Sequence, residues 1–156
     1  MGKASVLRPG QYRHLRRVTE ATSRDPDRDV LVLLLGIHTG MRVSEISQIE
    51  VQEVLFPSGA IRQEVSLRAA ITKGCRQRCI YSANRTLIEA LESYLTYRTE
   101  RRWRMGDDST KYRGLRGESK LILTFKGFKY SMNCKRRINH SGEGEITRPV
   151  TPCEPA

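Results

Sequence analysis

The chain has 156 residues and a formal net charge of +11, from 28 lysines and arginines against 17 acids. That length suits one hydrophobic core in one domain, and the longest apolar run, residues 30–37, is far too short to span a bilayer. Four scattered cysteines (Cys75, Cys79, Cys134, Cys153) without a signal peptide point to reduced thiols in a soluble, cytoplasmic protein and exclude a dense disulfide scaffold.

The charge is unevenly placed. Residues 1–60 hold 8 basic and 7 acidic side chains, whereas residues 61–137 hold 19 and 7. A field of that sign suits a polyanion, either nucleic acid or an anionic membrane, and says nothing of the fold.

In chain order, residues 11–23 place Tyr12, Leu15, Val18 and Ala21 on one stripe of a short helix, with Arg13, Arg16 and Arg17 opposite. The stretch Arg24-Asp-Pro-Asp-Arg28 breaks it and offers an aspartate to cap the next helix, which over residues 29–38 is apolar on every side and reads as fully buried. Gly40 can take the left-handed conformation that ends this helix. A third helix runs over residues 42–49 with Val43, Ile46 and Ile49 inward. Residues 51–56 are β-like, residues 57–59 form a turn, and residues 60–67 alternate well enough for a strand. Residues 69–72 and 75–81 read as a hairpin with Lys73-Gly74 at its tip. A long helix follows over residues 84–104 with Leu87, Leu91, Tyr94 and Leu95 inward, then a polar loop over 105–119 and a short buried strand over 121–124. Lys126-Gly127 makes a turn, and Ser131 can cap a helix through Lys135-Arg136-Arg137. From Asn139 the composition turns to Gly, Glu, Pro and Thr, which predicts a disordered tail over 139–156 behind a domain over 1–138.

The most specific feature is Leu33-Leu-Leu-Gly-Ile-His-Thr-Gly-Met-Arg-Val-Ser-Glu-Ile46. It predicts a buried helix, a glycine turn, and an arginine in the first turn of the next helix. A cation there opposes the helix dipole at a cost of about 0.3–1 kcal/mol, a conflict that a docked anion removes. Glu45 can hold Arg42 from the same face, and a plain surface ion pair between them fits the spacing too. The string resembles the first conserved box of the tyrosine recombinases, the phage-integrase type. That resemblance implies that Arg42 contacts a scissile phosphate, with Glu45 in support.

A second block follows in the order that the resemblance requires. Ala70-Ile-Thr-Lys-Gly-Cys-Arg-Gln-Arg-Cys-Ile-Tyr81 is similar to the family's β-hairpin, whose tip lysine enters the DNA and protonates the leaving 5′ oxygen; Lys73 stands at that position. Arg76 and Arg78 would then contact backbone phosphates, as would the acid-free basic run Lys126, Lys129, Lys135, Arg136 and Arg137, unless that run is only a solvated face. The block Leu121-Ile-Leu-Thr-Phe-Lys-Gly-Phe-Lys-Tyr-Ser-Met-Asn133 resembles the family segment ahead of the second half of the site.

There the resemblance stops. The family continues with a His-x-x-Arg box and a nucleophilic tyrosine, and nothing after Asn139 matches either; His140 is followed by Ser-Gly-Glu. The expected fold is therefore mainly α with a small antiparallel sheet (α+β), similar to a tyrosine-recombinase catalytic domain but incomplete at its C-terminus. The expected function is duplex DNA binding within site-specific recombination, alongside other recombinase protomers, with strand cleavage by this chain alone in doubt. No cofactor, metal or membrane is called for. The alternatives are a non-catalytic basic binder of nucleic acid and the product of a decayed gene. His38 reads as a core histidine, and Trp103 as a helix-end ring on the core or a platform for bases.

Overall fold

The computed structural model describes residues 7–72 and 74–130. Among them are five α-helices and one two-stranded antiparallel sheet, an α+β arrangement. At the centre of the core α2 (Pro26–Thr39) lies against α5 (Arg85–Glu100), and α1 (Pro9–Thr22) packs on α2.

Helix α2 begins behind Asp25 with proline in its first turn and ends at Gly40, whose φ of 64° is the left-handed cap that glycine adopts without a Cβ penalty. Val30, Leu31, Leu34 and Leu35 are buried. The expectation of burial on all sides fails at the end of the helix, where Ile37 and His38 are exposed and the Tyr12 hydroxyl of α1 meets His38 Nε2 at 3.4 Å. Helix α1 itself contributes no buried residue.

Two short helices follow, α3 (Val43–Gln48) and α4 (Val51–Val54). Arg42 is the residue before α3, with extended backbone, and Val43 points to solvent; the buried face is Ile46 with Ile49. The β-like reading of residues 51–56 is corrected by α4. Glu53 folds back to accept the Glu50 amide at 2.8 Å, which starts a helical turn where Val and Leu alone favour a strand.

Strand β1 (Glu64–Leu67) pairs with β2 (Arg78–Tyr81) in the register Glu64↔Tyr81 to Leu67↔Arg78. The hairpin is thus wider than the tight one expected. Ala69–Ile71 form a 3-10 turn instead of a strand, in keeping with the poor β-propensity of paired alanines. Cys79 is free and exposed.

Asn84 caps α5 by accepting the Thr86 and Leu87 amides, and Leu87, Leu91, Tyr94 and Leu95 are buried as expected. The helix stops at Glu100, four residues early, because Arg102 takes a left-handed φ of 52°. Residues 105–119 are an ordered coil around a 3-10 turn at Tyr112–Gly114. Leu121, Ile122 and Leu123 are buried but form no strand; side chains of α5 hold them instead. Arg98 donates to the carbonyls of Lys120 at 3.0 Å and Leu121 at 2.9 Å and to Ser119 Oγ at 3.2 Å, and the Tyr94 hydroxyl accepts the Leu123 amide at 3.0 Å. The Lys126-Gly127 turn forms as expected, with Gly127 at φ 75°. No helix among the described residues is long and apolar enough to cross a membrane. The expected cap at Ser131 and the tail over 139–156 lie outside the described residues.

Candidate nucleic-acid interface

The turn between α2 and α3 gathers three charged side chains. Glu45 is fully buried. Its Oε2 accepts the Arg42 amide at 2.8 Å and Arg78 Nη2 at 2.5 Å, while Oε1 lies 3.5 Å from Arg42 Nη1. Arg78 Nη2 is also 3.3 Å from the Gly40 carbonyl, so strand β2 is tied to the cap of α2. Arginine has no acceptor, so only half of a capping box is possible at Arg42. Glu45 supplies that half and satisfies one of the open donors at the start of α3.

Burial works to raise the Glu45 pKa, but the Arg42 amide and the Arg78 and Arg42 guanidiniums outweigh it and hold the carboxyl below its ordinary value of 4.5. The cluster therefore carries one negative and two positive charges, a surplus of one cation. The anion is inside and the cations outside: the Arg42 side chain is 56% exposed and that of Arg78 37%. Arg42 thus keeps donors turned to solvent, because its contact with Glu45 is long and uses one nitrogen. A guanidinium fixed from behind in this way is prepared for an anion of two oxygens, such as a phosphodiester.

The structure brings together Arg42, Glu45 and Arg78. It corrects the position of Arg42, which precedes α3 and does not lie in its first turn. It also gives Arg78 a partner that the sequence did not suggest, the same carboxylate. Arg76 is exposed, and its carbonyl accepts Thr72 Oγ1 at 2.6 Å, closing a small loop around position 73. Lys73 itself lies outside the described residues, as do Lys135, Arg136 and Arg137.

Lys126 is exposed and does not join the cluster. Its neighbour Phe125 lies under Arg24, just before α2, whereas Arg42 lies just after it. The two are separated by the length of a 14-residue helix, about 20 Å.

Two further ion clusters went unforeseen. Glu50 accepts from Lys120 Nζ at 3.0 Å and pairs with Arg68 at 3.1 Å, while Arg113 forks onto both oxygens of Glu92. Both join segments far apart in sequence, and no local spacing signals them. Arg98 is different, because it extends the stripe of Leu87, Leu91 and Tyr94 by one more turn of α5 and was legible in principle. No family model matches the chain, and no curated protein or solved structure is significantly similar to it.

Proposed function

We propose that this chain binds duplex DNA through the Arg42–Glu45–Arg78 cluster and acts within site-specific DNA recombination of the tyrosine-recombinase type. One observation carries the reading: Arg42 stands half-exposed at the α2–α3 turn, held from behind by a fully buried carboxylate that Arg78 shares. In this role Arg42 contacts a backbone phosphate, Glu45 fixes its direction, and Arg78 ties the hairpin to the same point. Lys73, in the loop closed by Thr72 and Arg76, is proposed to reach the leaving oxygen, and Arg76 an adjacent phosphate. The excess of cations over residues 61–137 supports a polyanionic partner in general. The motif order supports recombination in particular.

Phosphate contacts orient a protein on the duplex without reading its sequence. Strand cleavage needs an activated tyrosine beside the phosphate, and none of Arg42, Lys73 or Glu45 supplies a nucleophile. The proposal therefore covers binding and phosphate orientation by this chain.

The test is duplex binding across a salt series, comparing the wild type with Arg42→Ala and with Arg85→Ala, which removes an almost fully exposed cation. The expected result is a loss confined to Arg42→Ala, with a shallower dependence of log affinity on log salt. Equal small losses in both variants would instead favour a diffuse basic binder of nucleic acid.

A further inference from the structure

At the opposite end of α2 the chain exposes aromatic rings among unpaired cations. Phe128 is 59% exposed, and Phe125 and Tyr130 are also open to solvent. Arg24 lies with its guanidinium 4.0 Å from the Phe125 ring centroid, and Lys126 Nζ lies 5.5 Å from the same ring. Beside them Arg101 covers the rings of Tyr97 and Trp103, at 4.5 and 5.3 Å. Gly127 rests directly on the Trp103 indole, where a Cβ would come within 2.9 Å of the ring, so the turn that presents Phe125 and Phe128 is seated on the end of α5.

The electrostatics of this surface are one-sided. Neither residues 101–104 nor residues 124–130 contain an acid. Asp25, the acid of the adjacent α2 cap, is buried and already accepts from the Tyr97 hydroxyl at 2.7 Å and from Arg28 at 3.0 Å. None of Arg24, Arg101 and Lys126 forms an ion pair among the described residues. Open ring faces alone would suit any apolar partner, and cations alone any anion. Both together, on one turn, answer a polymer that alternates flat apolar faces with negative charges.

We propose that the surface of Arg24, Phe125, Lys126 and Phe128, beside Trp103 and Arg101, takes an unpaired nucleic-acid segment. A base stacks on the open Phe128 ring, and neighbouring phosphates meet Arg24, Arg101 and Lys126. A duplex does not fit this chemistry, because its base faces are already stacked on one another. The surface is independent of the Arg42 cluster, so either can fail without the other.

The test uses the full chain and three probes of equal length, about 12 nucleotides: oligothymidylate, the same backbone without bases, and a duplex. Trp103 is the sole tryptophan, and its fluorescence reports on this surface directly. The expected result is tighter binding of oligothymidylate than of the abasic strand, by about 5- to 150-fold per stacked base, with a change in Trp103 emission. Phe128→Leu, which keeps an apolar side chain but removes the ring, is expected to abolish most of that preference, and Phe128→Tyr to keep it. Arg42→Ala is expected to lower duplex affinity and leave the preference intact. Equal affinity for the abasic and thymidylate strands would overturn the proposal. So would a Phe128→Leu variant that loses all three probes alike, or Phe128-dependent binding to neutral phosphatidylcholine vesicles.

Discussion

Two buried charges in this protein are handled in opposite ways. Glu45 is a buried anion whose partners are cations open to solvent; Arg98 is a buried cation whose partners are neutral oxygens in the interior. All of the hydrogen bonds of Arg98 go to backbone carbonyls and Ser119, its Nε has no partner, and burial lowers its pKa. Fully buried, it is closed to any ligand. Around Glu45, by contrast, the buried group satisfies only part of each guanidinium. The comparison teaches that an arginine's burial matters less to function than the number of its donors that the fold consumes.

The largest effect is expected from removing the cation buried in the interior. Arg98→Ala leaves the carbonyls of Lys120 and Leu121 and the Ser119 hydroxyl short of donors in the interior, and should cost about 3–5 kcal/mol in urea unfolding. A cost below about 1 kcal/mol would mean that water replaces the guanidinium and that the comparison is wrong.

Next comes Glu45→Gln, expected to cost about 1–3 kcal/mol at neutral pH, less than Arg98 because Arg42 can turn to water and Arg78 keeps its bond to the Gly40 carbonyl. The pH dependence has a definite sign. A carboxylate whose folded pKa lies below its ordinary value of 4.5 adds stability above that value and loses it as pH falls through the folded pKa. Acid unfolding of Glu45→Gln should therefore be shallower than that of the wild type below about pH 4.5. An unchanged acid limb would show that Glu50, Glu92 and Asp29, which are also lowered by cationic partners, carry the effect without Glu45.

Arg42→Ala should sharpen the contrast from the other side. Stability should change by less than about 1 kcal/mol, since an exposed guanidinium and one long contact are lost. Duplex affinity should fall about 10- to 100-fold, as for a charge-assisted hydrogen bond to phosphate. The smallest effect belongs to Arg85→Ala. Arg85 is almost fully exposed in its pair with Glu89 one turn on, so both stability and affinity should stay within about 0.5 kcal/mol of the wild type.

How much of this was legible depends on the range of the interaction. Gly40 as the end of α2, Asn84 as the start of α5, and the inward stripe from Leu87 to Leu95 follow from local rules of capping and periodicity. The pairing of Arg42 with Glu45 is also local. Arg78 was legible as a cation near the hairpin tip but not as a partner of Glu45, because 33 residues separate them and the hairpin register decides the contact. The register departs from the expected one for a local reason. Ala69–Ile71 close a 3-10 turn, which moves the pairing outward to Glu64–Leu67. Residues 51–54 show the reverse failure, where a β-prone composition yields to one carboxylate, Glu53, that folds back onto the Glu50 amide.

Helix α1 has a consequence for how the molecule comes apart. It packs on α2 yet has no buried residue; Tyr12 is half-buried against the core, and Leu15 and Val18 stay partly in water. A detached helix of 14 residues is too short to persist alone, so leaving α2 and unwinding are one event for this segment. Little apolar surface is exposed by that event, and its free energy is a small part of that of global unfolding. Amide protons over residues 9–22 should accordingly exchange with deuterium long before those of α2 and α5. In a heating experiment far-UV ellipticity should begin to fall while the Trp103 emission is still native. A two-state fit to either signal alone would then return a different midpoint for the same chain.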